Sequence, residues 1–176
     1  MKLIEGLKEI PALLRKAEDL RKLITNNCAL LDNETPSYGN KDQQTSKVKE
    51  WIQSHSDTLK RIEWLKACIA KTNIETEVAI KFSDALTVKK SINRWISRRQ
   101  QLVELERQAW TALSDRGLKE EKTIQSDKQV IEKKIVRFFD PAERDNKAAF
   151  YRLEPMMIDS ALEITNATTE LIEVAA

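Results

Sequence analysis

A chain of 176 residues, 33% charged and 41% hydrophobic with only 3 Gly and 4 Pro, can bury one core and favours long helices over a turn-rich β sandwich or a flexible linker. Thirty basic residues against 28 acidic ones leave a formal charge of +2, which excludes the large excess expected of a dedicated nucleic-acid binder. A single all-α domain over residues 1–176 is the expected organisation, and any nucleic-acid binding is expected to be weak and steeply salt-dependent.

The opening segment, MKLIEGLKEIPALLRKAEDL, places charges among its apolar positions and lacks the apolar run and cleavage site of a signal peptide. No stretch approaches the ~18 apolar residues that cross a bilayer. A soluble cytoplasmic protein without a membrane partner is expected. Cys28 and Cys68 have apolar helical neighbours, which predicts two small buried side chains rather than a disulfide or redox pair.

From Leu3 to Leu31 the apolar positions Leu3, Leu7, Ile10, Leu14, Ala17, Ile24, Cys28 and Leu31 recur at the alternating four-three spacing of a coiled-coil seam. Arg21 breaks it, and Pro11 allows a kink or a restart. Residues 33–46, with Pro36 and Gly39, read as a loop, and Thr45 or Ser46 is expected to cap a second helix over about 47–73. Its stripe is Val48, Ile52, His55, Leu59, Ile62, Leu65 and Ile69, with Trp51 and Trp64 at the margins, and it is expected to pair antiparallel with the first helix. After a break around 73–82, Ser83 is expected to cap a third helix over about 84–115, through Ala85, Val88, Ile92, Trp95, Ile96, Leu102, Val103, Leu105, Ala109 and Leu113, with Gly117 as its stop.

Residues 118–139 pass from a charged run into QVIEKKIVRFF, where β-branched and aromatic residues gather without a helical stripe. They predict a short β-like arm, a hairpin turning near Ser126 and Asp127, whose apolar face needs a neighbouring subunit to rest on. Asp140, Pro141 and Glu143 then start a fourth helix over about 141–171, bent at Pro155. The fold class that follows is four long amphipathic helices in antiparallel hairpins or a bundle, with this arm between the third and fourth. Thr-Asn-x-x-Thr-Glu occurs at both 72–77 and 165–170. It reads either as the ordinary Thr and Asn usage of helix ends or as two ends that meet at one polar junction.

Met1-Lys2-Leu3-Ile4-Glu5 with Ala17-Glu18-Asp19-Leu20, Lys71-Thr72-Asn73 with Ser83-Asp84-Ala85-Leu86, and the closing Ile164-Thr165-Asn166-Ala167-Thr168-Thr169-Glu170-Leu171 resemble the septicolysin family of small bacterial and phage all-helical proteins. The resemblance covers most of the chain, although residues 117–131 are longer than that family's pattern. It implies a long-helix fold and oligomers, and it brings no catalytic residues. The pore formation in the family's name finds no lipid-facing segment here.

Chemistry is sparse. His55 is the sole histidine, and its neighbours Ser54, Ser56 and Asp57 point in different directions on a helix, so they form no triad. One His and two separated Cys match no zinc site, no paired Glu-x-x-His motif is present, and Gly6, Gly39 and Gly117 form no phosphate loop. No enzyme, cofactor or metal is expected. The cluster that stands out is Lys89, Lys90, Arg94, Trp95, Arg98 and Arg99. Arg94 and Arg98 lie one turn apart and could hold a phosphate or carboxylate while Trp95 stacks. The competing reading is a solvated face, or ion pairs with the fourth helix, because residues 141–176 hold seven acids against three bases.

The leading functional expectation is a non-enzymatic homo-oligomer for binding or assembly, in its sharper form a phage anti-defence type of protein. It would sequester a small anionic or nucleotide ligand at Lys90, Arg94, Trp95, Arg98 and Arg99. The alternative is a structural or assembly component of a larger particle such as a virion.

Overall fold

The computed structural model describes residues 1–124 and 130–175. It is mainly helical with small antiparallel hairpins, so the all-α expectation holds only in its coarser form. The elements are α1 (Leu3–Asn27), α2 (Lys41–Glu75), β1 (Glu77–Ser83) and β2 (Leu86–Ser91), then α3 (Ile92–Ser97), a π-helical stretch (Arg98–Leu102) and α4 (Val103–Thr111). They are followed by β3 (Glu121–Ile124), β4 (Val130–Lys133) and α5 (Pro141–Thr168). Two compact units form: Met1–Glu77 with Glu163–Ala176, and Val78–Leu162.

In the first unit, α1 and α2 make an antiparallel hairpin. Asn40, not Thr45 or Ser46, starts α2: its side chain accepts from the Gln43 amide at 2.9 Å while Gln43 Oε1 accepts from the Asn40 amide at 2.9 Å, a reciprocal cap. The helix therefore begins six residues before the predicted 47. Its buried positions also differ from the predicted stripe. Gln44, Trp51, Thr58, Leu65 and Thr72 are buried at strict seven-residue spacing, with Ile62, Cys68 and Ile69, whereas Ile52 and Leu59 are about half exposed. Three of those heptad positions are polar and escape a hydrophobicity count. Each is satisfied locally: Gln44 Nε2 donates to the Asn27 carbonyl (2.8 Å), Thr58 to that of Ser54 (2.7 Å) and Thr72 to that of Cys68 (2.8 Å), which removes most of the cost of burial.

The α1 seam is likewise rotated. Leu3, Gly6, Ala17 and Leu20 are buried, while Leu7, Leu14 and Leu31 are exposed and α1 ends at Asn27. Cys28 is exposed, contrary to the expectation for it, and Cys68 is buried. Both α1 and α5 continue through their prolines, Pro11 and Pro155.

The two ends of the chain close this unit. Leu3 N donates to the Thr169 carbonyl (2.9 Å) and Leu171 N to that of Met1 (2.8 Å). Glu170 pairs with the Met1 amine (3.3 Å) and Lys2 (2.6 Å). The segment after α5 then runs along α2: Ile172 N donates to Thr72 Oγ1 (2.8 Å), and Trp64 Nε1 and Lys71 Nζ donate to the carbonyls of Val174 (3.0 Å) and Glu173 (3.4 Å). Leu171 is buried beside Gly6, where an added Cβ would lie 3.6 Å from Leu171 Cδ2, at ordinary contact distance. Of the two Thr-Asn repeats, 72–77 thus contacts the strap at Ile172 through Thr72, and 165–170 contacts the start of the chain through Thr169 and Glu170.

In the second unit, a turn at 84–85 and strand β2 (Leu86–Ser91) replace the first turns of the predicted third helix. In β1 the alternation Val78, Ile80, Phe82 inward and Ala79, Lys81, Ser83 outward is a period of two, and β2 supplies Thr87 and Val88; the two-residue link at Asp84 and Ala85 makes the pair antiparallel. Ser91, not Ser83, caps the helix, accepting from the Arg94 amide at 3.4 Å. Among the described residues, the buried apolar residues of the second unit are Val78, Ile80, Ile92, Trp95, Val103 and Ile158. Trp95 is fully buried with Nε1 donating to the Val78 carbonyl at 2.9 Å. Phe82 packs on Trp95 and Phe150 at centroid distances of 6.0 and 5.4 Å.

The 118–139 arm is a hairpin with register Glu121↔Lys133 through Ile124↔Val130. The turn predicted at Ser126 and Asp127 lies outside the described residues. Asp140 caps α5 by accepting from the Ala142 amide at 2.8 Å, as the sequence predicts; the helix ends at Thr168 rather than 171. Among the described residues no helix is long and apolar enough to cross a membrane.

Replacing Leu171 by Ala is expected to cost about 2–5 kcal/mol and to expose the Leu3 and Leu171 amides first. Urea titration with amide hydrogen exchange checks this, and unchanged protection at those two amides would show that the strap is not held by this side chain.

Candidate functional site

The basic cluster singled out in the sequence lies in the second unit, around an interruption in its central helix. Over Arg98–Leu102 the helix takes a π turn, with the Val103 amide donating to the Arg98 carbonyl five residues back. One extra residue is thereby inserted. Arg98 and Glu106 are eight residues apart and would sit about 80° apart around a regular α-helix; with one residue inserted they behave as if seven apart, about 20° from alignment. The insertion places Glu106 on the Arg98 face. It also shifts the phase of every later position, which is why Leu102 and Leu105, predicted in the core stripe, are 47% and 59% exposed.

Arg98 is the hub. Its Nε donates to Glu154 Oε1, Nη2 reaches Glu154 Oε2 at 2.9 Å and Glu106 Oε2 at 3.0 Å, and Nη1 reaches Glu106 Oε1 at 3.5 Å. Glu154, on α5, is 1% exposed. A carboxylate so deep needs a charged partner, and the planar guanidinium supplies a two-pronged one. The hydrogen bonds to Glu154 and then to Glu106 hold the Arg98 guanidinium well above its usual range despite burial. Hydrogen bonding from Arg98 holds Glu106 below the usual carboxylate range. The Tyr151 hydroxyl also donates to Glu106, and burial first, that bond second, push its pKa up. Arg99 pairs with Asp159 at 2.8 and 2.9 Å.

The predicted site residues are thus brought into one unit but in different circumstances. Arg98 and Arg99 engage carboxylates of α5, the ion-pair reading of the sequence. Trp95 is buried with no face open to stack on a ligand. Arg94 is exposed and makes no ion pair among the described residues. Lys90, at the end of β2, is half-buried with its ammonium 4.9 Å from the centre of the Trp95 ring, a cation–π contact, and it too makes no ion pair among the described residues. Burial, then the Arg98 and Arg94 charges, lower its pKa against the opposing pull of Glu154 and Glu106. Three cations, Lys90, Arg94 and Arg98, therefore face two carboxylates, and the surplus positive charge lies on Lys90 and Arg94. Glu106, Tyr151 and Glu154 complete the cluster and went unread in the sequence. Glu154 and Tyr151 are three apart on α5, a spacing that could have placed them on one face.

The first unit has a separate open groove of about 670 Å3 lined by Lys60, Arg61, Glu63, Trp64, Ala67 and Val174. In it Arg61 stacks on Trp64 at 4.6 Å and pairs with Glu9 at 2.8 and 3.1 Å. Among the described residues no group of His, Cys, Asp and Glu is arranged to hold a metal ion.

No family model matches the chain, and no curated protein matches it. A solved structure to which it is similar is a functionally unknown conserved protein from Corynebacterium diphtheriae, 22% identical, covering 97% of this chain and 98% of that one, with a TM-score of 0.45. A likeness that distant bears on neither fold nor function.

Replacing Arg98 by Met strands a buried carboxylate and is expected to cost about 3–5 kcal/mol, whereas the double replacement R98M/E154L is expected to recover most of that loss. Urea denaturation of the three proteins decides it: a double variant no more stable than R98M would contradict the hub. Glu106 adds a pH signature. Because its folded pKa is depressed, its stabilisation is present in full above the ordinary value of 4.5 and is lost as pH falls through the folded value. That portion of the acid limb should be missing in R98M.

Proposed function

We propose that the chain is a non-enzymatic, self-associating helical protein that captures a small anionic molecule at Lys90 and Arg94. The observation that carries this reading is Lys90: a half-buried residue whose pKa is lowered by burial and by neighbouring guanidinium groups against the pull of Glu154 and Glu106, and which makes no ion pair among the described residues. An anion arriving there would relieve the repulsion among the three cations Lys90, Arg94 and Arg98. Phosphate and carboxylate chemistry fits this donor set best, and a nucleotide is one molecule that offers it. Arg98 and Arg99 act by holding the frame, and Trp95 by supporting Lys90 from below. Self-association is supported by the arm, where Leu118, Val136 and Phe138 are 61%, 74% and 96% exposed, an apolar display that a partner surface would cover. Membership of the septicolysin family belongs to the same proposal, on the motifs quoted above. A component of a larger particle is the second reading, favoured by the same exposed arm.

Isothermal titration with inorganic pyrophosphate, compared between the native chain and K90A/R94A, tests the capture reading. Each charged hydrogen bond contributes about 1.5–3 kcal/mol, so the double variant should bind at least about tenfold more weakly. Equal binding by both proteins, or no binding by the native chain, would contradict it.

A further inference from the structure

The strap that follows α5 is held by side chains of one helix face. Trp64, Cys68 and Thr72 come at four-residue spacing along α2, and each engages a backbone atom of the strap. The Thr72 hydroxyl accepts from the Ile172 amide at 2.8 Å, Cys68 Sγ accepts from the Val174 amide at 3.4 Å, and Trp64 Nε1 donates to the Val174 carbonyl at 3.0 Å. Lys71, beside Thr72, adds a contact of 3.4 Å to the Glu173 carbonyl. The two periods fit. Four residues of helix advance about 6 Å and two residues of extended chain about 6.6 Å, so Thr72 and Cys68 meet alternate residues of the strap. Lys60 continues the same four-residue series, and with Arg61 and Trp64 it lines the open groove of about 670 Å3 that Val174 and Ala175 also border.

We propose that this face of α2 is a track for extended peptide, that the strap is its occupant in cis, and that an extended segment of a partner protein, with an acidic residue between two aliphatic ones, takes the strap's place. The bonds that hold the strap go to its amides and carbonyls, and recognition through the main chain is open to any segment of the same conformation. Side chains narrow the choice. The strap presents Ile172-Glu173-Val174, and the charge of Glu173 acts on Arg61, whose pKa is raised first by its hydrogen bond to Glu9. The strap is also the part of this unit that exchanges most easily. Among residues 171–175 only Leu171 is buried, and a segment with so few buried contacts opens at lower free energy than the hairpin it covers. The groove beside Lys60 gives an incoming peptide its first foothold.

The test compares the full chain with I172P/V174P, which lacks the two strap amides that donate to Thr72 and Cys68. Cys68, fully buried beside the strap, is the probe, and the exposed Cys28 is the reference in each sample. In the variant, with its helical circular dichroism unchanged, Cys68 should react with an aromatic disulfide at least about tenfold faster relative to Cys28, for the loss of two backbone hydrogen bonds. Adding the peptide Leu-Ile-Glu-Val-Ala should restore the protection, and the same peptide N-methylated at its Ile and Val should not. An unchanged Cys68 rate in the variant, protection by neither peptide, or equal protection by both overturns the track. If the variant unfolds, the native chain decides. Above the roughly millimolar effective concentration of a tethered segment, the unmethylated peptide should speed hydrogen exchange at the Ile172 and Val174 amides while the Trp64 indole stays protected. Exchange at those amides unmoved by the peptide overturns the proposal.

Discussion

The second unit depends on one buried carboxylate. Glu154 is 1% exposed, and an ionised group at that depth is tolerable only where a cation and enough hydrogen bonds replace the water it has lost. Arg98 answers with two donors and extends a further contact to Glu106. For Glu106 to lie within reach, the helix must take an additional residue into its turn, which is what the π stretch does. The interruption, the alignment of Arg98 with Glu106 and the docking of α5 through Glu154 and Asp159 are thus consequences of a single electrostatic requirement.

The same requirement defines what is left over. Two carboxylates saturate Arg98, Asp159 occupies Arg99, and nothing anionic is assigned to Lys90 or Arg94. Burial and the neighbouring Arg98 and Arg94 charges lower the Lys90 pKa, against the pull of Glu154 and Glu106, and the proposed capture of an anion starts from that imbalance. The first unit follows a different plan. Its closure runs through the backbone of both chain ends, with the Thr72 hydroxyl accepting from the Ile172 amide and Leu171 packed beside Gly6.

How much of this was legible in the sequence follows from which signals are periodic. The α1–α2 hairpin, the Asp140-Pro141 start of α5 and a β-like arm before it could be read from patterning and cap chemistry. Which face of α2 is buried could not, because Gln44, Thr58 and Thr72 are polar side chains that qualify for the interior only through local hydrogen bonds. Residues 84–91 were read as helix because Ser83 resembles a cap and Val88 fits a stripe that continues at Ile92; the period-two burial of β1 is a short signal next to a longer helical one. Leu102 and Leu105 were misassigned by an insertion that leaves no mark in residue types. For the site, the cations of one helix were visible as a cluster. Of the carboxylates that partner them, Glu154 and Asp159 sit 56 and 60 residues further on, hinted at only by the net acidity of the last segment, and Glu106 comes into reach only through the π insertion.

The account stands most directly on the state of the Lys90 ammonium. Its Cε resonance, assigned by its loss in K90A, can be followed by 13C NMR through a pH titration of the full chain, with and without pyrophosphate. The account predicts a midpoint for Lys90 below that of an ordinary lysine, moving upward when the anion is added. A Lys90 midpoint at the ordinary lysine value, unmoved by the anion, would contradict it.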